Sequence, residues 1–411
     1  MVNGSVDMFL KVNRSYLQEN QPAKIFVTAH VDVKQASQAR TLTCFLLDTS
    51  GSMEGAPIYW AKEAVKSGID SLGTNDFVSV ISFDTKTKVV IPTTQVINKV
   101  GLNSEIDRLS AGGSTRMYNA LEAAGREITR VYQPGIIPQI VLLTDGAPTD
   151  KVPVSQYVNA ANHFFQNGGI TFSAAGTANY NDQYIIPMAN AGGGFWYHIS
   201  NIQGISSAFR DSVKKVTSCV VHRPILWFNL HNGALIEEFY MVEPFSKQVP
   251  ILYNGGIPYC TLPNLTGDVG NYVFTAKVSV PANTQEGVKV LDSRLMEGNA
   301  TLSDDSVSVD YTSDLTLVMD EDSPTRLIHR VTKIQTLAEE AILTGNQELT
   351  KTVQEDIKTL IESGELEGIE NIEEFKEKLT RADSVTRVEN VEERKEQISE
   401  MRGYQKDIDQ G

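Results

Sequence analysis

The sequence predicts a multidomain α/β + all-β + α chain: a doubly wound α/β domain inserted in a β-sandwich and followed by a C-terminal helical region. Three observations carry that expectation. Strand-length apolar runs alternate with amphipathic helical patterns between Thr41 and Val216, the pattern of a parallel sheet covered on both faces. From Cys219 the helical periods stop and short strand-length runs follow one another, the spacing of an all-β sandwich. After Ser323-Pro324 charged helical periods take over. The 411 residues exceed what one compact core usually holds. The expected division is 1–40 as N-terminal strands of the sandwich, 41–217 as the α/β domain, 218–320 as the remainder of the sandwich, and 321–411 as an acidic helical region.

Met8–Val12 and Ala23–Val31 have strand patterns, with Asn20-Gln21-Pro22 as the turn between them. Two strands cannot bury a core alone, so they are expected to pair with strands after Cys219. Leu42–Leu47 is a buried-type strand running into Asp48. Pro57 opens a helix that sets Ala61, Ala64, Val65, Gly68, Ile69 and Leu72 on one face and closes at Gly73. Phe77–Phe83 is a strand, Lys88–Ile91 its hairpin partner, and Met117–Val131 an amphipathic helix. Gln139–Thr144 is a second buried strand, ending at Asp145-Gly146. Helices near Val154–Gln166, Asp182–Ala191 and Gln203–Val216 alternate with strands at Ile170–Ala175 and Phe195–His198. Right-handed crossovers wind this order into a Rossmann-like sheet.

Past Cys219 the strand candidates are Ile225–Leu230, Leu235–Val242, Gln248–Tyr253, Asn271–Val280, Val288–Leu291, Val307–Val309 and Leu315–Val318. Ser323 as cap and Pro324 at the first helical position start a helix. Its Ile328, Val331, Ile334, Leu337 and Ala341 form one stripe, expected to cover the sandwich. A helix near Glu348–Ser363, a third capped by Asn371 with Glu374, and a charged segment from Arg387 to Arg402 complete the chain.

The segment Leu46-Leu47-Asp48-Thr49-Ser50-Gly51-Ser52-Met53 lies after a buried strand and before a helix. Open α/β sheets place ligands at the carboxyl ends of their strands. The oxygens of Asp48, Ser50 and Ser52 are hard donors suited to Mg²⁺ or Mn²⁺. Two later segments supply what the loop lacks. Ala111-Gly112-Gly113-Ser114-Thr115 offers a hydroxyl on a glycine-rich loop, and Leu142-Leu143-Thr144-Asp145-Gly146 offers a carboxylate at another strand end. Thr115, two residues after Gly113, is the chosen hydroxyl; Ser114 is its local alternative.

This ordered triplet, a DxSxS loop, a GG(S)T loop and a TDG turn, resembles the metal-ion-dependent adhesion site (MIDAS) of von Willebrand factor A (VWA) domains. The resemblance implies a metal centre of Asp48, Ser50, Ser52, Thr115 and Asp145, with Ser50, Ser52 and Thr115 on the ion directly and the two aspartates direct or through water. It implies Mg²⁺, with Mn²⁺ or Ca²⁺ as alternatives, and an open position for an acidic side chain of a protein partner. Asn13–Val33, the following sandwich and Gly192–Tyr197 look like bacterial VWA proteins labelled calcium-activated chloride channel homologues. No apolar run approaches the roughly 20 residues of a membrane span, so the channel label is not carried over. The implied function is a metal-dependent protein–protein interaction module, non-enzymatic, acting as adaptor or scaffold in a prokaryotic cytoplasm, with a MoxR-type AAA ATPase as candidate partner.

Two other classes stay open at this point. A secreted or cell-surface adhesin needs a removed signal peptide, since Met1–Asp7 has neither a basic region nor an apolar stretch, and predicts a Cys219–Cys260 bridge. A metal-assisted hydrolase would use the ion to activate water, yet no general base stands free once Asp48 and Asp145 serve the metal. No GxSxG elbow, P-loop or GxGxxG occurs. His30, His163, His198, His222, His231 and His329 show no metal-ligand spacing and are expected to be structural. The net charge is −15; from Asp320 onward 23 acidic residues face 13 basic ones, a net −10, which repels nucleic acid and anionic lipid. Trp60, Met117 and Tyr118 lie near the site loops, either as a rim for a partner or as helix packing.

Overall fold

Arg40–Asp48 is an inner strand of a six-stranded sheet, buried from Thr41 to Asp48. The computed structural model describes residues 4–177, 181–199, 204–366, 372–388 and 391–401. Across the sheet the strands run Thr87–Gln95, Phe77–Phe83, Arg40–Asp48, Ile136–Thr144, Thr171–Thr177 and Gly193–Ile199. All neighbours are parallel except the Thr87–Gln95 hairpin edge. Side chains alternate between two covered faces. Phe45 and Leu47 pack with the Ala56–Ser71 and Ile205–Thr217 helices. Cys44 and Leu46 pack with Met117–Val131, Val154–His163 and Asp182–Ala191. Gly68 is required at its crossing: a Cβ there would stand 2.6 Å from the Phe45 ring. Strand order reverses between Arg40–Asp48 and Ile136–Thr144, so their carboxyl ends open a crevice at the topological switch point.

The N-terminal strands join the later ones. Ala23–Gln35 lies between Gly4–Val12 and Asn271–Val280, antiparallel to both. The second sheet runs Leu252–Asn254, Ile257–Thr261, Pro224–Leu230, Val288–Glu297, Ala300–Thr312 and Tyr16–Gln18. Leu226, Phe228, Phe239 and Phe274 fill the space between the sheets. Several expectations are corrected. Tyr16–Gln18 is an additional N-terminal strand. Gln248–Tyr253 divides around Pro250 into Lys247–Gln248 and Leu252–Asn254, which join different sheets. Leu315–Val318 is a helical turn, because the Asp314 carboxylate caps the Thr316 N–H. Lys99–Asp107 is a helix without a strong apolar stripe; only Ile106 is buried.

The Ser323–Thr344 helix also departs from expectation. Its apolar Leu327, Val331, Ile334 and Ala338 pack with Val353, Ile357, Phe375 and Leu379 of the following helices. Its polar side docks on the sandwich: His329 meets Thr275 and Glu238, Lys333 meets Glu238, and Gln335 meets Ser246. The stripe has its own helical partners, so it does not need the sheet. Ile398, in the Val391–Met401 helix, reaches the α/β core, and Arg394 pairs with Asp182 at 2.8 Å. The expected cap at Asn371 and the expected helix ends at Gln203 and Arg402 lie outside the described residues. Among the described residues no helix is long and apolar enough to cross a membrane.

Candidate metal centre

The Arg40–Asp48 strand delivers Asp48, fully buried, to the crevice. One carboxylate oxygen, Oδ1, accepts the Ser50 N–H at 2.8 Å; the other, Oδ2, accepts the Thr144 hydroxyl at 2.6 Å. The Ser50 and Ser52 hydroxyls stand 3.1 Å apart, and the Ser52 hydroxyl donates to Asp145 Oδ1 at 2.8 Å. The loops after two neighbouring strands are therefore joined in one chain of oxygens. Four of the five residues singled out in the sequence, Asp48, Ser50, Ser52 and Asp145, belong to it directly.

Thr115 sits on the glycine-rich loop, which is pinned to the Asp48 loop by backbone bonds. The Gly51 N–H donates to Gly113 O at 3.0 Å, and the Gly112 N–H donates to Thr49 O at 2.8 Å. Gly113 has φ +82, and a Cβ there would stand 2.6 Å from Thr85 Oγ1, so only glycine fits without strain. Ser114 turns to Thr85, its hydroxyl 3.2 Å from the Thr85 hydroxyl. Thr115 is buried and uses its backbone, not its hydroxyl, to meet Thr149. The Ser114 hydroxyl is thus engaged with Thr85, whereas the bonds that hold Thr115 come from its backbone.

Burial pushes the Asp48 carboxyl above the ordinary carboxylate range, against the bonds from Thr144 and Ser50, and the Asp145 charge adds to the rise. Burial likewise raises Asp145, against the Ser52 bond. Among the described residues neither carboxylate is ion-paired to Lys, Arg or His. Two acids drawn together without a cation form an electrostatically incomplete site. The donor set fits a hard divalent ion. Adjacent ligands of an octahedral Mg²⁺ at about 2.1 Å stand about 3 Å apart, close to the 2.8 and 3.1 Å separations along this chain.

Thr144, Thr85 and Thr149 support the site but escaped sequence reasoning. Thr144 stood within the Thr-Asp-Gly turn as a signal; Thr85 and Thr149 had none. Of the two readings open for Trp60, Met117 and Tyr118, packing is the one the contacts favour. Met117 is core, Tyr118 packs edge-on against Tyr157, and Trp60 packs edge-on against Tyr59. Tyr59, beside Trp60, is 56% exposed.

Fold and site together define a doubly wound α/β domain with an oxygen-donor cluster at its switch point. Residues 44–211 match the family model of the von Willebrand factor type A domain, and the chain carries a domain of that family. Such domains are generally interaction modules rather than enzymes. The uncharacterized protein YfbK of Escherichia coli is 25% identical over 177 residues, 42% of this chain and 30% of that protein. An uncharacterized Synechocystis protein is 39% identical over 103 residues, 25% of this chain and 24% of the other. The matches thus span under a third of either relative. Among solved structures, a von Willebrand factor type A protein from Catenulispora acidiphila superposes with TM-score 0.76 at 18% identity, covering 93% of this chain and 90% of that one. An ArnB paralog from Sulfolobus acidocaldarius gives TM-score 0.63 at 16% identity, with 97% of each chain covered. At these identities the likeness concerns the fold, and it extends over the sandwich and helices.

Proposed function

We propose that this protein is a divalent-cation-dependent protein-binding adaptor whose Asp48–Asp145 centre grips an acidic side chain of a partner. The observation that carries the reading is the pair of buried carboxylates linked through the Ser50 and Ser52 loop, with no basic side chain paired to either among the described residues. A bound Mg²⁺, or Mn²⁺ or Ca²⁺ in its place, supplies positive charge and an exchangeable position for a partner's carboxylate. Asp48 and Asp145 supply the negative charge that holds the ion; Ser50, Ser52 and Thr115 supply neutral oxygens that leave it electrophilic. Thr144 orients Asp48, and Gly113 sets the loop that carries Thr115. Asp48 and Asp145 are both engaged in the loop network, which favours binding over turnover.

A pull-down with the full chain tests the proposal, with a MoxR-type AAA ATPase, the partner class suggested by the family resemblance, as one bait. Recovery of a partner is expected to require Mg²⁺ and to fall with EDTA, Asp48→Ala and Thr115→Ala. Recovery that is equal with and without EDTA, and equal in both variants, contradicts metal-dependent recognition.

A further inference from the structure

The outer face of the second sandwich sheet carries a cavity of about 760 Å³ far from the Asp48 loop in the chain, within the range of small-molecule sites. Cross-strand register builds it. Tyr259, Trp227, Arg294 and Asp304 stand in one row across four strands. Asn229, Asp292 and Ser306 form the next row on the same face. Register shifts between Lys289 and Leu291 and between Leu295 and Met296 bracket Arg294. Such bulges bend a strand and account for a hollow on a face that would otherwise be flat.

The lining has a definite chemistry. Trp227 lines the cavity and packs against Tyr259 on the neighbouring strand, ring centroids 4.8 Å apart and planes tilted by 31°. Asp292 is held in a network, with Lys289 at 2.6 Å and His231 at 2.8 Å. Arg294 and Asp304 face each other across the strands, and neither takes part in an ion pair among the described residues. The site therefore combines an apolar ring with a guanidinium donor and a carboxylate acceptor outside any ion pair among the described residues, beside further donors and acceptors on Asn229 and Ser306.

We propose that this face binds a neutral saccharide. A pyranose ring has an apolar face of C–H groups that lies on an aromatic ring. Its edge carries adjacent hydroxyls, each both donor and acceptor. Trp227 receives the apolar face. A pair of neighbouring hydroxyls accepts from the Arg294 guanidinium and donates to the Asp304 carboxylate. The acidic groups Asp292, Asp304 and Asp305 around the cavity disfavour an anionic polymer, and the two cations beside them disfavour a purely cationic ligand.

Affinity electrophoresis of the full chain in gels containing hydroxyethyl cellulose, xylan, laminarin or glycogen tests this, with EDTA present so that the Asp48 centre plays no part. At least one of these neutral polymers is expected to retard the protein. Trp227→Ala is expected to weaken retardation by at least about tenfold, and Arg294→Ala or Asp304→Ala by about tenfold, each about 1.4 kcal/mol. The last two residues are exposed, and their variants keep the test decisive should Trp227→Ala unfold. No retardation by any neutral polymer overturns the proposal. So does retardation that survives the variants, or retardation by heparin alone that Arg294→Ala abolishes, which would mark a charge patch.

Discussion

Two carboxylate clusters in this molecule sit at opposite electrostatic extremes. Glu238 accepts from His329 Nε2 on one oxygen at 3.0 Å and from Lys333 Nζ on the other at 2.8 Å. The His329 bond and then Lys333 hold its carboxyl down at about 2, against burial. Burial keeps His329 below its ordinary range. The ring is therefore neutral at pH 7, donating from Nε2 to Glu238 and accepting at Nδ1 from Thr275 at 3.2 Å. Asp48 and Asp145 instead meet hydroxyls and an N–H, and both are pushed up. The difference separates structure from function. Glu238 arrives with its partners and clips a helix to the sandwich. Among the described residues the Asp48 centre has no such cationic side chain, and this contrast supports its proposed role as the metal site.

The sharpest way to break this comparison is to remove the aspartates. Wild type is expected to gain thermal stability with Mg²⁺, about 2.7 kcal/mol at a hundredfold excess over Kd. Asp48→Ala and Asp145→Ala are expected to gain none, as differential scanning calorimetry would record. Next in size is the finished clip. Glu238→Gln leaves Lys333 and His329 without their anion and is expected to cost about 2 kcal/mol in urea unfolding, with or without Mg²⁺.

The two clusters should also respond to pH with opposite sign. Glu238, depressed below its unfolded value of 4.5, stabilises above that value and loses its contribution as pH falls toward about 2. His329, depressed below 6.5, adds a loss that begins as pH falls through 6.5. Asp48 and Asp145, raised above 3.8, stabilise the cation-free protein below that value and lose the contribution as pH rises through their folded range. Melting curves from pH 3 to 7 in EDTA, on wild type, Glu238→Gln and Asp48→Ala, separate the terms. A wild-type profile unchanged by both substitutions contradicts the assignment.

Smaller effects sharpen the site itself. Gly113→Ala is expected to cost about 1–3 kcal/mol, because φ +82 and the Thr85 contact both oppose a side chain, and to weaken ion binding by shifting Thr115. Thr115→Ala should weaken Mg²⁺ binding without a comparable loss of stability. Ser114→Ala should stay within about 0.5 kcal/mol in both respects; calorimetric titration of the pair would expose an inverted assignment.

The α/β part was legible because its periods are undisturbed. Runs such as Cys44–Leu47 and Ile140–Leu143 are apolar on both faces, as buried parallel strands tend to be. The oxygen cluster was legible because its loops follow such strands in order. What escaped depends on register and tertiary partners. Thr85 and Thr149 act through contacts that no local pattern encodes. Ala300–Ser306, rich in Ser and Asp, is a strand because it pairs with Val288–Glu297 and because Ser303 and Asp305 satisfy the Met8 and Leu10 N–H groups. The Ser323–Thr344 stripe turned to its own helices, and the row containing Trp227 and Arg294 exists only once four strands are aligned.

The proposal that Asp48 and Asp145 hold a divalent cation is tested most directly by electron paramagnetic resonance titration of the full chain with Mn²⁺. One ion per chain, displaced by Mg²⁺ and lost in both Asp48→Ala and Asp145→Ala, is the predicted result. A wild-type chain that binds no Mn²⁺, or variants that bind it as wild type does, would contradict the account.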